Sequence, residues 1–410
     1  MTGWSVAEIQ QAMRVGDLSA RALTEAFLQR VADIDRSGPS VNSIIELNPQ
    51  ALDIASTLDA ERAAGTVRGP LHGVPILIKD NIDTADLMQT TAGSLALEGH
   101  RASRDAFVVE RLRAAGAVLL GKTNLSEWAN FRSTRSTSGW SSRGGQTRNP
   151  HVLDRSPCGS SSGSGAAVAA QLCAVAVGTE TDGSVVCPST SNGIVGIKPT
   201  LGLVSRSGII PIAHSQDTAG PMARTVADAA TLLSAMVGVD ARDAATAAAG
   251  RLGQVDYAQY LDEGALRGAR LGIARNFFGF DSRVDAVMEE SIAALRHLGA
   301  DIVDPVDLPK SSAYDESEYE VLLYEFKAGI NAYLAGLTGD RWPQTLEALI
   351  AFNNAHAERV MPYFGQEIFL QAQEKGPLSD AVYREALAAN HRLSRGEGID
   401  AAIARYRLDA

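Results

Sequence analysis

The sequence is poor in cysteine and in long apolar runs, and each shortage excludes a class of protein. It has three cysteines in 410 residues, Cys158, Cys173 and Cys187. An odd number confined to one short stretch does not predict a disulfide framework, and the spacing matches no common zinc site. No stretch approaches the roughly 18 consecutive apolar residues that span a bilayer. No secretory signal is visible at the N-terminus, so the cytoplasm is the expected location.

Positive charge is also scarce. The formal net charge is −11, which argues against general affinity for nucleic acid or for an anionic membrane, since both are negatively charged. The proportions of hydrophobic residues, 45%, and charged residues, 21%, are those of an ordinary globular protein. The length permits one large α/β domain or two ordinary ones.

Apolar runs alternate with amphipathic segments along most of the chain. This alternation predicts an α/β fold with a mixed, largely parallel sheet covered by helices on both faces. The predicted strands are 74–78, 117–120, 175–177, 271–274 and 301–303. The predicted helices fill much of 1–66, then 105–115, 166–174, 225–236 and 284–298, and most of the chain after Tyr314.

Lys79 ends the apolar strand at 74–78. A lysine there usually extends its ammonium group into water, and that interpretation would be preferred if the segment stood alone. A buried lysine behaves differently, because desolvation disfavours its charged form and makes it available as a base. Its ordinary pKa is about 10.4, so burial must lower it by several units for this role near neutral pH.

A stretch rich in Ser, Gly, Arg and Thr runs from Arg132 to Gly165, between core elements, and a long loop in that position is usually functional. Its end, residues 157–165 (the Ser160 loop), reads Pro-Cys-Gly-Ser-Ser-Ser-Gly-Ser-Gly. A flexible loop or a phosphate-binding loop would look similar. Residues 159–163 also match the G-x-S-x-G turn of α/β-hydrolases, but that turn follows a buried strand and residues 153–157 do not read as one. We therefore regard this match as accidental.

A third segment, residues 178–188 (the Ser184 loop), follows the apolar strand at 175–177 and contains Gly183-Ser184. Its consecutive backbone amides, from Thr181 to Ser184, could converge on one oxygen, as an oxyanion hole requires. Alone, the segment would more simply be a strand-end turn carrying a surface serine.

Taken together, the three segments resemble the amidase signature family. That family has a lysine, a serine at a cis peptide and a nucleophilic serine, the two serines being 24 residues apart as Ser160 and Ser184 are here. The resemblance implies that Ser184 is the nucleophile and that Ser160 and Lys79 move the proton. It further implies an oxyanion hole formed by the amides of Thr181, Asp182, Gly183 and Ser184, with Ser161 supporting Lys79. Segments 194–200 and 217–224 match the family's scaffold.

The resemblance covers nearly the whole chain and implies one amidase signature domain over 1–410. Its parts would be N-terminal helices at 1–66, a catalytic core at 67–240 and a portion covering the site at 241–410. Segments 121–128 and 322–329 look most like bacterial peptide amidases, which remove the C-terminal amide of peptides and release ammonia. The implied reaction uses an acyl-enzyme and needs neither metal nor cofactor. The expected partner is a small-molecule or peptide amide, and the expected state is a monomer or homodimer.

Other interpretations keep or change this chemistry. The substrate could be an aryl or fatty acyl amide, or the chain could be one subunit of an amidotransferase. A Ser-His-Asp triad has little support, because none of the seven histidines accompanies a G-x-S-x-G context. A cysteine nucleophile would need Cys158 or Cys187, which we expect to pack as small apolar residues. Trp140, Ser138 and aromatic residues after Tyr314 are candidates for substrate contact.

The sequence departs from the family pattern in two places. Cys158 and Ser162 replace glycines of the Ser160 loop. The sequence also ends at Ala410, where the family continues into another strand and a C-terminal segment. An inactive, shortened scaffold is therefore the interpretation that involves no enzyme activity.

Overall fold

The computed structural model describes residues 1–251, 255–339 and 341–410. The chain divides into two compact units. The first unit comprises Met1–Ala258 and Phe326–Glu374, and the second comprises Gln259–Glu325 and Lys375–Ala410.

Helices and strands alternate along the chain as the apolar pattern predicts. The helices are α1 (Val6–Val15), α2 (Ala20–Arg30), α3 (Ala51–Ala63), α4 (Phe107–Ala114), α5 (Ser162–Ala169), α6 (Val186–Ser191), α7 (Val226–Met236), α8 (Ser282–His297), α9 (Asp315–Ala335), α10 (Leu346–Ala355), α11 (Ala357–Val360), α12 (Glu367–Gln373), α13 (Ala381–His391) and α14 (Asp400–Tyr406). The strands are β1 (Ile44–Leu47), β2 (Pro75–Lys79), β3 (Val118–Thr123), β4 (Trp140–Ser141), β5 (Gly145–Gln146), β6 (Val175–Glu180), β7 (Val195–Gly196), β8 (Thr218–Ala223), β9 (Arg270–Gly272) and β10 (Asp301–Val303).

The first unit contains a six-stranded sheet in the order β1-β3-β2-β6-β8-β7. Strand β2 lies between β3 and β6 and is parallel to both, whereas β1, β7 and β8 pair antiparallel with their neighbours. The predicted mixed sheet is confirmed, and its parallel pairing is confined to the three central strands. All residues of β2, β3 and β6 are buried, as expected for strands covered on both faces.

Helices flank this sheet and close its core. Helices α2, α3, α5 and α7 contact the strands, and the apolar faces of α1 to α4 contribute to one continuous core with β2, β3 and β6. Local sequence signals explain where the helices begin. Ser5 and Glu8 form a capping box at α1, and the Thr225 hydroxyl accepts from the Asp228 amide at α7. Helix α5 is buried from Ser162 to Val168, which its small residues allow.

In the second unit, β9 pairs parallel with β10, and α8 connects them. The Asp281 side chain caps the N-terminus of α8, and Ile292 is the buried residue of this helix. The last residues of the chain hydrogen-bond to β9, since the Asp409 amide donates to the Arg270 carbonyl at 2.8 Å and the Gly272 amide donates to Ala410 at 2.9 Å. A small apolar cluster forms around Val321, Tyr324 and Tyr383.

Most predicted elements are present within a few residues, but the prediction missed helix α6 and the strands β1, β4, β5, β7 and β8. Among the described residues, no helix has the length and apolarity that crossing a membrane requires.

Candidate active site

Lys79 lies at the end of β2 and is fully buried. Its Nζ donates to Ser160 Oγ at 2.7 Å, to Thr179 Oγ1 at 2.8 Å and to the Thr179 carbonyl at 3.1 Å. Burial lowers the pKa of Lys79 to about 7, and the negative charges of Glu180 and Asp217 oppose that shift. The lysine is therefore poised to exchange a proton near neutral pH while in contact with a serine hydroxyl.

The sheet explains why these groups meet. Strands β2 and β6 are parallel neighbours, and Ile78 is in register with Val177. The carboxyl ends of the two strands therefore reach the same edge of the sheet, where Lys79 from β2 meets Thr179 from β6. Asn81 follows two residues after Lys79, and its side-chain amide donates to Thr179 Oγ1 at 3.0 Å.

The Ser160 loop is held against the carboxyl end of β3. The Gly159–Ser160 peptide is cis, as the family resemblance implies, and Ser160 is fully buried. The Ser126 amide donates to the Ser160 carbonyl at 3.1 Å, and the Gly163 amide donates to the Asn124 carbonyl at 3.0 Å. At Gly163 a Cβ atom would lie 2.4 Å from the Asn124 carbonyl oxygen. Only glycine allows this approach, so the loop is a packed element of the site.

Ser161 connects both loops through backbone and side-chain contacts. Its hydroxyl donates to the Thr179 carbonyl at 3.0 Å and accepts from the Thr179 amide at 3.1 Å. Its own amide donates to the Ser184 carbonyl at 3.1 Å. Ser161 thus binds the residue that also binds Lys79, which is a route to the supporting role predicted for it.

The Ser184 loop is shaped by the carboxylate of Glu180. Glu180 accepts from the amides of Gly183 at 3.0 Å, Val185 at 2.7 Å and Val186 at 2.9 Å. Ser184 lies inside this turn, two residues before the start of α6, and is 6% exposed. The side chain of Lys198 donates to the Thr181 carbonyl at 2.6 Å. Of the four amides predicted to form the oxyanion hole, the Gly183 amide is already hydrogen-bonded to the Glu180 carboxylate.

The two loops are also joined covalently, because Cys158 and Cys187 form a disulfide. The expectation that these cysteines pack as separate apolar residues was wrong. They are 29 residues apart in sequence, but the fold brings together the loops that carry Ser160 and Ser184. Cys173 is the free, buried thiol. Disulfides persist mainly in oxidising compartments, so this pairing does not favour the cytoplasmic location that was expected from the sequence.

The structure joins Lys79 to Ser160 by their side chains and Ser161 to Ser184 by their backbones, and it adds residues that sequence reasoning missed. Thr179 binds Lys79, Glu180 binds the Ser184 loop, and Asp217 binds Thr181. Thr179 and Glu180 lie within a motif the sequence singled out, and the parallel pairing of β2 with β6 could have placed Thr179 beside Lys79. Nothing in the sequence connects Asp217 with Thr181.

Trp140, a predicted substrate contact, is 7% exposed. Its ring packs edge-on against Tyr363 and Phe364, with centroid distances of 5.4 and 5.3 Å, and the Arg132 guanidinium lies 5.7 Å from its centre. Arg132 is fully buried and pairs with Glu127, which is also buried. Trp140 is therefore packed among aromatic side chains and a buried arginine, whereas Tyr363 is 71% exposed.

Known proteins resemble this chain over nearly its whole length. The family model described as Amidase matches residues 22–399. A probable amidase of Arabidopsis thaliana is 42% identical, over 99% of this chain and 78% of the relative. A glutamyl-tRNA(Gln) amidotransferase component from Symbiobacterium thermophilum is 44% identical, over 78% of this chain and 63% of the relative.

Among solved structures, the peptide amidase of Stenotrophomonas maltophilia is 52% identical and superposes with a TM-score of 0.94. The match covers 99% of this chain and 82% of that chain. The α/β architecture with a mixed sheet flanked by helices is the same in both.

Proposed function

The chain belongs to the amidase signature family, and from that premise we propose that it hydrolyses carboxamides through an acyl-enzyme on Ser184. The observation that carries this proposal is the 2.7 Å contact between Lys79 Nζ and Ser160 Oγ in a fully buried site. A serine hydroxyl is a weak nucleophile and needs an adjacent base. A lysine whose pKa is about 7 can be that base when it is neutral.

Proton transfer comes first. Neutral Lys79 takes the proton of Ser160, and Ser160 takes the proton of Ser184 as the Ser184 Oγ attacks the amide carbon. The three acceptors around Lys79 Nζ hold the ammonium that results, because each can accept one of its N–H groups. The charge therefore stays inside the site until the leaving group needs the proton.

The tetrahedral intermediate carries its negative charge on the former carbonyl oxygen. We assign its stabilisation to amides of the Ser184 loop, those of Thr181, Asp182 and Ser184. The Gly183 amide was also predicted to be part of the oxyanion hole, but it donates to Glu180 at 3.0 Å. We therefore propose that it stabilises the turn. Preorganised amides of this kind lower the barrier because they need no rearrangement as charge develops.

Collapse of the intermediate breaks the carbon–nitrogen bond. The proton returns from Lys79 through Ser160 to the departing nitrogen, which leaves as ammonia from a primary amide. Water then attacks the acyl-enzyme, with the same residues taking and returning its proton, and the carboxylic acid and free Ser184 are regenerated. The cycle consumes one water and leaves every residue in its starting protonation state.

Peptide C-terminal amides are the substrates we propose, on the strength of the similarity to the Stenotrophomonas peptide amidase. The similarity to an amidotransferase component makes free glutamine the second substrate to examine.

The test is ammonia release from an N-blocked, C-terminally amidated dipeptide, with glutamine assayed in parallel. The parent chain is expected to release ammonia from the dipeptide, and Lys79→Ala and Ser184→Ala are expected to abolish release. Ser189→Ala is the matched control, because Ser189 is a buried serine of α6 whose hydroxyl donates to the Val185 carbonyl. It should stay active.

Release from glutamine alone would replace the peptide amide with an amidotransferase-type substrate. Full activity of a folded Ser184→Ala variant would refute the proposed mechanism for any substrate.

A further inference from the structure

Asp217 lies immediately before β8 and is 9% exposed. It lines a cavity of about 220 Å³ together with Thr181 of the Ser184 loop and the segment Ile209–Ile212. The cavity therefore adjoins the amides that we propose stabilise the oxyanion. Asp217 forms part of the wall of the cavity.

The two oxygens of the Asp217 carboxylate serve two different segments. Oδ1 accepts from Thr181 Oγ1 at 2.5 Å. Oδ2 accepts from the amides of Ile212 and Ala213, each at 2.9 Å. Hydrogen bonds to a charged acceptor are about twice as strong as those between neutral groups. One side chain thus links the Ser184 loop to the backbone of Ile212 and Ala213.

Thr181 is the first residue after β6, and its position determines where its amide points. Lys198 holds the Thr181 carbonyl and Asp217 holds the hydroxyl, so the peptide planes on either side of Thr181 have few ways to rotate. An oxyanion hole is effective only when its donors are held within a fraction of an ångström of the productive geometry.

We propose that Asp217 is a positioning residue for hydrolysis, which holds the Thr181 end of the oxyanion hole at a fixed distance from the backbone of Ile212 and Ala213. This rests on the proposed function, and it identifies a residue outside the lysine and two serines on which the rate depends. Asp217 acts through Thr181 and does not itself exchange a proton with the substrate.

Electrostatics supplies a readout that a purely structural role would not change. The carboxylates that act on Lys79 are Glu180 and Asp217, and both raise the pKa of the lysine against the effect of burial. Burial raises the pKa of Asp217 itself to about 6, while hydrogen bonds from Thr181 and the positive charge of Arg206 oppose that rise. Asp217 is therefore mostly ionised above neutral pH, and its removal should lower the pKa of Lys79.

The experiment compares Asp217→Asn with Asp35→Asn in the full chain. Asp35 is a matched control, because its buried carboxylate also accepts from one hydroxyl, that of Ser43, and from two amides, those of Ser43 and Ile44. Asp35 is not among the carboxylates that raise the pKa of Lys79. We expect Asp217→Asn to lower kcat by roughly tenfold to a hundredfold, and to move the acid limb of the pH profile by roughly half a unit or more to lower pH. Asp35→Asn should lower stability and leave both unchanged.

Thr181 variants separate the hydroxyl from the charge. Thr181→Val removes the hydroxyl and keeps the carboxylate, so it should lower kcat and move the acid limb less than Asp217→Asn does. Thr181→Ser keeps the hydroxyl and should restore most of the rate.

A second measurement keeps the test independent of the amide substrate. The rate at which a fluorophosphonate probe labels Ser184, followed by mass spectrometry, is expected to fall in Asp217→Asn and not in Asp35→Asn. Labelling of the parent without peptide-amide hydrolysis would refute the substrate while still testing Asp217. Equal labelling rates and equal acid limbs in the parent and Asp217→Asn would refute the positioning role.

Discussion

The burial of Lys79 has a direct consequence for the pH dependence of hydrolysis. The proposed mechanism requires the neutral amine, so the rate should follow deprotonation of this one group. Below its pKa the rate should rise about tenfold per pH unit and then level off. Because burial lowers the pKa to about 7, we expect the limb to bend near that pH.

The fraction of enzyme with a neutral Lys79 follows from the lowering of the pKa of this lysine. A lysine with its ordinary pKa of 10.5 would be neutral in about 1 molecule in 3000 at pH 7, whereas a pKa of about 7 makes about half of the molecules neutral. Burial in this site therefore increases the fraction of competent enzyme roughly a thousandfold. A change that admits water to Lys79 should reverse that gain.

The assay is the initial rate of ammonia release from an N-blocked dipeptide amide, which has no titrating group in the working range. Rates would be measured from about pH 5 to about pH 9 at constant ionic strength. Lys122→Met is the control, because Lys122 is also fully buried, with its Nζ donating to Thr90 Oγ1 at 3.0 Å. Burial lowers its pKa as well, but it makes no contact with Ser160.

The two lysines give opposite expectations. Lys79→Met should abolish turnover, and Lys122→Met should leave the limb at the pH found for the parent. If the acid limb moved or vanished in a folded Lys122→Met variant, the titration would belong to Lys122 and not to Lys79. A parent rate still rising about tenfold per unit at pH 9 would show that Lys79 keeps its ordinary pKa, and the reasoning from burial would fail.

Two further predictions concern stability and are measured by denaturant unfolding. Replacing Cys158 and Cys187 together by serine should lower the free energy of unfolding by about 3–4 kcal/mol, because their disulfide joins residues 29 apart; an unchanged midpoint under oxidising conditions would contradict this. Arg132→Met should cost about 3–5 kcal/mol, because it leaves the buried Glu127 without its cation. Adding Glu127→Gln to Arg132→Met should recover part of that loss, and a further loss in the double variant would argue against the ion pair as the cause.

The positions of Lys79 and Ser184 at strand ends could be predicted from the sequence, whereas their chemical roles came from the resemblance to a family. Lys79 ends an apolar run, and Ser184 follows another. The register of β2 with β6 then puts both ends at one edge of the sheet. Local pattern and parallel pairing account for the positions of these two residues, and the roles that the resemblance implies for them stay predictions.

The sequence could not place β8, which reads Thr-Ala-Gly-Pro-Met-Ala. Glycine and proline are depleted in strands, so local preference argues against an element that the tertiary structure imposes through pairing with β6 and β7. Strand β1 has four residues, too few for a period to be clear.

Asp217 and the disulfide illustrate a different limit. The carboxylate meets Thr181 across 36 residues, and Cys158 meets Cys187 across 29. These contacts depend on how loops fold back beside the sheet, and neither residue type nor spacing encodes that path.

The packing of the Ser160 loop has a consequence for protein engineering. Its composition is that of a flexible linker, which would usually be chosen for an insertion or a tag. A Cβ at Gly159 would lie 2.3 Å from Ser126 Oγ, and one at Gly163 would lie 2.2 Å from the Ser43 carbonyl oxygen. A saturation library should therefore deplete substitutions at Gly159 and Gly163 as strongly as in the apolar core, and a segment of low sequence complexity can contain positions with almost no tolerance for a side chain.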